Sequence, residues 1–246
     1  MNGEIEAKVF GLGSPIWLLH SLLADAGSCL PLAERLGNTH RVTVPDLPGF
    51  GGSLWAGPEL DKTADAVALA IDEPAIVFGN GYGSFVALTL ALRHRDRVTK
   101  LILAGTGAAF SEQGRAAFKG MAAAAAEKGL SAIADVAMRR LFSPEFQAMH
   151  PDLMAQRRAR FLETDISVFT GACAALAKLD IREAVRAINV PTLVIVGTQD
   201  EATPPPMARE LASLLPHAQL LELEGCAHVP QLQEPDQVLE AIQNFI

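Results

Sequence analysis

Two polar residues in the second half of the chain have the side chains that acyl transfer requires. Asp200 lies in VIVGTQDEATPP and His228 in LEGCAHVPQLQEP, each just past a short apolar run. An imidazole changes charge near neutral pH, so His228 suits a general acid–base. A carboxylate at Asp200 would orient the ring and stabilise its protonated form. A third landmark precedes them in VFGNGYGSF, Val77 to Phe85. Its frame Gly79-Asn80-Gly81-Tyr82-Gly83 matches G-x-S-x-G, the sharp strand-to-helix turn that exposes a nucleophilic serine. Both outer glycines are present, but the serine position holds Gly81. The N–H of Tyr82 opens the helix after this turn, where backbone donors are free. With the N–H of Leu22, in LLHSLLAD, it would form a hole for a developing oxyanion. Ser21, beside Leu22, is assigned to the substrate-binding wall, and His20 to packing and hydrogen bonding behind that loop.

No other side chain is expected to replace the missing hydroxyl. Ser84 lies three residues into the helix, where packing against the sheet accounts for a small residue. Ser53 closes the PGFGGS loop and reads as a turn residue. Cys226 is too close in sequence to His228 to reach its ring at attack geometry. Cys173 reads as a small buried apolar residue.

The elements needed to position these residues are legible as well. IWLLH, RVTVPD, AIVFG, KLILAG, TLVIVG and QLLELEG read as strands, several of them apolar without alternation, as in parallel strands covered on both faces. Between them CLPLAERL, DKTADAVALAI, SFVALTLALRH and PPMARELASLL have helical spacing, and EPDQVLEAIQNFI ends the chain as another helix. The alternation predicts an α/β fold with a doubly wound, mostly parallel sheet. Residues 111–188 break the pattern with four helical segments and no strand. They are expected to form a helical cap inserted between core segments 1–110 and 189–246. Of the cap arginines 139, 140, 157, 158 and 160, Arg140 is selected as the one facing the pocket. Its guanidinium would hold a substrate carboxylate.

Composition excludes several classes. Half of the 246 residues are hydrophobic, a fifth are charged, and the net charge is −8 with pI ≈ 5.2. That balance argues against nucleic acid and anionic membranes as partners, leaving a small-molecule substrate. No apolar run is long enough to span a bilayer. MNGEIEAKVF lacks a signal-peptide layout. Three widely spaced cysteines read as free thiols in a reducing compartment, expected to be the cytoplasm. No metal-ligand spacing occurs, and no cofactor is expected.

The order elbow, acid, histidine is that of the α/β-hydrolase fold. Over its whole length the chain resembles the 3-oxoadipate enol-lactonase branch of that superfamily. The resemblance is carried by MRRLFSPEF, LDIREAVRAINVPTLVIVGTQDEATPPPMA and GCAHVPQLQEP. It implies hydrolysis of a lactone in aromatic-compound catabolism, without metal or cofactor. Members of that branch carry Trp near Leu141, and many relatives have glycine at the position of Ser21. Gly81 leaves three readings open. The chain is a serine hydrolase altered from Ser to Gly, a natural enzyme in which His228 and Asp200 activate water, or a non-catalytic binding protein. A cofactor-free oxygenase or lyase dependent on the same pair is a further alternative.

Overall fold

The computed structural model describes residues 5–246; the first four residues of the expected core segment lie outside that range. In chain order its elements are β1 Ala7–Phe10, β2 Pro15–Leu19, α1 Leu30–Leu36, β3 Arg41–Pro45, α2 Leu60–Ala70, β4 Ala75–Asn80, α3 Tyr82–Arg93 and β5 Val98–Ala104. The helices α4 Glu112–Lys128, α5 Ala134–Leu141, α6 Pro144–Met149, α7 Pro151–Leu162 and α8 Ile166–Lys178 follow. The chain then returns through β6 Thr192–Gly197, α9 Pro205–Leu214, β7 Ala218–Leu223, α10 Pro230–Gln233 and α11 Pro235–Phe245.

The strands form one sheet in the order β1-β3-β2-β4-β5-β6-β7. All six strands expected from the apolar runs are parallel neighbours. Every residue of β4 and β6 is buried, so helices on both faces remove the need for alternating polarity. Sequence reading missed β1, which pairs antiparallel with β3 at the sheet edge. Its four residues AKVF are exposed or half-exposed. No apolar signal marks such an edge, because only backbone pairing holds it.

The strand order reverses between β2 and β4, and a crevice opens beyond their carboxyl ends at such a switch point. Leu19 pairs with Gly79. Continuing that register by two residues sets Ser21 beside Gly81. Two loops distant in sequence therefore meet at the mouth of the sheet because of topology.

Five helices, not four, stand between β5 and β6. The short α6 starts at Pro144, and its N-cap Ser143 accepts a hydrogen bond from the Phe146 N–H at 3.3 Å. Six residues are too few to show helical periodicity, so α6 was missed. Ser111 caps α4 and Asp165 caps α8 through side-chain oxygens, and α4 packs along α8. The segment leaves and rejoins the core at one point. There Ala109 bridges Asp180, and the Ile181 N–H donates to the Ala108 carbonyl at 2.8 Å. Among the described residues no helix is long and apolar enough to cross a membrane.

Candidate active site

Three loops beyond the strand ends carry the polar residues. Asp200 follows β6 and is buried. Its Oδ1 accepts from the N–H groups of Ala202 and Thr203 at 2.8 and 2.9 Å. Its Oδ2 accepts from Thr203 Oγ1 at 2.8 Å and faces His228 Nδ1 at 2.8 Å. Three donors thus fix one carboxylate, and its fourth contact orients an imidazole. The Nδ1 proton is directed at Asp200, so the neutral tautomer of His228 leaves Nε2 as an acceptor. Among the described residues Nε2 has no hydrogen-bond partner, and it faces the Gly81 backbone.

The turn at Gly81 has φ +54° and ψ −118°, a region that only glycine enters without strain. The chain therefore keeps the sharp elbow but not its side chain. A Cβ at this point would lie 2.6 Å from His228 Nε2 and 2.9 Å from Ser21 Cβ, with Ser21 Oγ nearer still. The space of the absent side chain is thus closed on one side by a hydroxyl and on the other by the imidazole. Gly105, at φ +60°, lets the next strand end pass beneath the same ring, where a Cβ would come within 2.7 Å of His228 Nδ1.

The backbone donors are in place. Gly83 N–H is used by the His20 carbonyl, and Ser84 and Phe85 N–H groups by the Gly81 carbonyl. Neither the Leu22 nor the Tyr82 N–H donates to another group among the described residues, and both residues line the same cavity. The Tyr82 hydroxyl turns away from it toward Thr63 Oγ1, at 3.2 Å, and burial raises its pKa. His20 holds the Leu22 loop from behind. Its Nδ1 meets the Ser21 carbonyl at 2.9 Å, and its Nε2 accepts from the Leu47 N–H at 3.0 Å. Burial lowers the His20 pKa, which suits a neutral ring with one donor and one acceptor.

The serines and cysteines set aside as nucleophiles are occupied or inert. Ser84 Oγ donates to the Gly81 carbonyl at 2.6 Å, and Ser53 Oγ to the Asp46 carbonyl at 2.6 Å. Cys173 and Cys226 are buried, and burial pushes both thiols up to about 12.

The cavity narrows to about 30 Å³, enough for roughly one water. Phe85, Phe110, Phe118, Met121 and Leu176 make its apolar wall, while Ser21, His228 and Arg140 contribute polar atoms. Arg140 forms no ion pair among the described residues, and its buried Nε lacks a hydrogen-bond partner. Burial lowers its pKa, while the charges of Asp200 and Glu201 oppose that shift. The neighbouring Arg139 is exposed. Arg157 pairs with Asp25 at 2.7 Å, Arg158 with Asp135 at 3.4 Å and Arg160 with Glu163 at 2.9 Å.

Two supporting residues had no sequence signal. Asn80, at a freely variable position of the elbow motif, is buried. Its Nδ2 donates to the carbonyls of Ala104 and His228, and its Oδ1 accepts from Gln231 Nε2. Gln233 joins the histidine loop to the helical segment. Its amide donates to Ser143 Oγ and the Gly225 carbonyl, both at 2.9 Å, and its Oε1 accepts from the Ala227 N–H at 3.1 Å. The His228 N–H itself donates to the Leu141 carbonyl at the end of α5, at 3.1 Å.

The profile of the alpha/beta hydrolase fold family matches residues 14–235. The chain belongs to that family and is an enzyme of the hydrolase class. It is 31% identical over 239 residues to a pimeloyl-[acyl-carrier protein] methyl ester esterase of Neisseria meningitidis, covering 94% of this chain and 93% of that protein. To the enzyme of the same name from Aromatoleum aromaticum it is 30% identical over 258 residues, covering 96% of this chain and 95% of the relative. Among solved structures it resembles the enol-lactonase from Burkholderia xenovorans, with a TM-score of 0.92 and 28% identity over 99% of this chain and 96% of that one. It also resembles a thermophilic esterase from Thermogutta terrifontis, with a TM-score of 0.89 and 27% identity over 98% and 92% of the two chains. The resemblance to enol-lactonases thus stands within a wider group in which esterases are prominent.

Proposed function

We propose that the protein hydrolyses a small carboxylic ester or lactone whose acyl part carries an anionic group. The observation that carries this reading is the buried Asp200–His228 pair. Its free Nε2 faces the elbow, and Leu22 and Tyr82, whose N–H groups have no partner among the described residues, line the same cavity. Nε2 takes the proton of the attacking hydroxyl, and Asp200 holds the resulting imidazolium. The N–H groups of Leu22 and Tyr82 receive the oxyanion. His228 then returns the proton to the leaving alcohol. Arg140 supplies a charge with no protein partner, suited to a substrate carboxylate. The names of the relatives, a methyl ester esterase and an enol-lactonase, both describe attack at an ester carbonyl.

Residues 111–188 act as a cap over the core segments 1–110 and 189–246. The cavity beneath narrows at the site, and outward motion of the cap would widen it for substrate. The test is turnover of p-nitrophenyl acetate, monomethyl esters of dicarboxylic acids and simple lactones by the protein and its His228→Ala variant. Loss of turnover in the variant is expected. Turnover that survives it would remove the basis of the proposal.

A further inference from the structure

We propose that the nucleophilic hydroxyl of this hydrolase has moved across the active site, from residue 81 to Ser21, and that Ser21 Oγ forms the acyl-enzyme. This rests on the ester-hydrolase reading above and names the group that attacks.

Three observations support it. First, Ser21 lies where the elbow side chain would be. Its Oγ and His228 Nε2 flank the same point, the Cβ position that Gly81 leaves open. Second, Ser21 Oγ is uncommitted. Of the four other buried serine hydroxyls among the described residues, Ser28, Ser53 and Ser84 donate to backbone carbonyls, and Ser143 accepts from the Phe146 N–H and the Gln233 amide. Ser21 is 2% exposed, yet its hydroxyl has no partner among the described residues, and it opens into the cavity. The oxygen is not one of the fully buried, unpaired polar atoms, so it stays accessible to a group that enters the cavity. Third, the exchange conserves the oxyanion hole. In the elbow arrangement the two donors are the residue after the nucleophile and a residue of the opposite loop. With the nucleophile at Ser21 those roles fall to Leu22 and Tyr82, the same two N–H groups in reversed order. Gly81 fits this arrangement, because a side chain at that point would meet the Ser21 hydroxyl in its present position and displace it.

No hydrogen bond yet joins Ser21 Oγ to His228 Nε2, and nucleophile–base contacts of this kind tighten when substrate binds. The chemistry then closes without another reagent. Ser21 Oγ bonds to the ester carbonyl carbon as its proton passes to His228 Nε2, and the carbonyl π electrons move onto oxygen. The oxyanion collapses, the bond to the alkoxy oxygen breaks, and that oxygen takes the proton from His228. Water attacks the acyl carbon while Nε2 removes its proton. Collapse releases the acid, and Ser21 Oγ regains its proton.

The test is labelling with diisopropyl fluorophosphate, which phosphorylates an activated serine with loss of fluoride, followed by fragmentation of the labelled peptide. Turnover of p-nitrophenyl acetate is measured alongside. We expect one label on Ser21, no label in Ser21→Ala or His228→Ala, and turnover in Ser21→Ala lowered about 10³-fold or more. If Ser21→Ala is unfolded, Ser21→Cys provides the second arm. Its acyl-enzyme would be a thioester at residue 21, identified by mass. A label on another residue, or Ser21→Ala turning over ester as fast as the parent, overturns the proposal. In the latter outcome ester hydrolysis stands and His228 acts on water directly. A parent that neither turns over esters nor takes up the label overturns the ester-hydrolase reading as well.

Discussion

Gly81→Ser rebuilds the family's usual elbow in one step, and it should damage this protein. The new Cβ would lie 2.6 Å from His228 Nε2 and 2.9 Å from Ser21 Cβ, and collide with Ser21 Oγ. It would also place a side chain at φ +54°. Backbone strain of that kind costs about 1–3 kcal/mol, and forced repacking of a tight site roughly another 1–3 kcal/mol. The combined loss of about 2–6 kcal/mol lowers Tm by roughly 5–20 °C for a chain of this length. Ser21→Gly introduced with it removes the obstructing side chain but not the backbone strain. The double variant should therefore recover roughly 1–3 kcal/mol relative to the sum of the single changes. Thermal and urea unfolding of the parent, both single variants and the double variant measure this coupling. Ester turnover should be low in both single variants, through loss of the hydroxyl in Ser21→Gly and through crowding in Gly81→Ser, and return in the double variant, where serine and glycine have exchanged places. A Gly81→Ser protein as stable as its parent, or strictly additive changes, would refute the argument that residues 21 and 81 compete for one space.

Further outcomes follow from the same geometry. Asp200→Asn should lower kcat about 10³–10⁴-fold by favouring the wrong imidazole tautomer, as read from steady-state kinetics with the fold checked by circular dichroism. Arg140→Gln should raise KM for esters bearing a carboxylate about 10–100-fold and leave p-nitrophenyl acetate unaffected, because only the charged substrate uses the guanidinium. Asn80→Ala leaves the His228 carbonyl and the Gln231 amide without their buried partner, and should cost about 1–3 kcal/mol in urea unfolding. The pKa of His20 is lowered by burial from its ordinary value of 6.5. Its unfolded form therefore binds a proton first, and stability is fully present above pH 6.5 and is lost as pH falls below it. His20→Gln should flatten that acid limb of the urea midpoint measured against pH.

The sequence was legible where a signal is local. The glycine frame around residue 81, the acid after β6 and the histidine after β7 each sit in a short loop with its own strand attached. The six buried strands could be read because both of their faces are apolar. Edge strand β1 could not, since three of its four residues face solvent. The roles of Asn80 and Gln233 could not be read either. Asn80 acts on a carbonyl 148 positions away and Gln233 on a hydroxyl 90 positions away. Sequence reading places Ser21 on the substrate wall, but the nucleophilic role proposed for it could not be read. Its neighbourhood depends on the strand order, which sets two loops side by side, and no spacing in the chain announces that contact.

The bonds from Leu141 and Ser143 to the histidine loop set the direction in which the site can breathe. Lifting the α5–α6 corner would break the His228 N–H bond to Leu141 together with those of Gln233 to Ser143, roughly 2–4 kcal/mol in all. It would also release His228, the base proposed above, at the moment of substrate arrival. A swing of α4 and α8 about that corner breaks none of these bonds. On the proposed cap motion the corner would be a fulcrum, with the entrance on the far side, past Phe118, Met121 and Leu176, which line the cavity. An ester passing that apolar threshold sheds water before its carbonyl reaches the polar end. The acyl chain should then be selected at the door and the ester bond at the hinge.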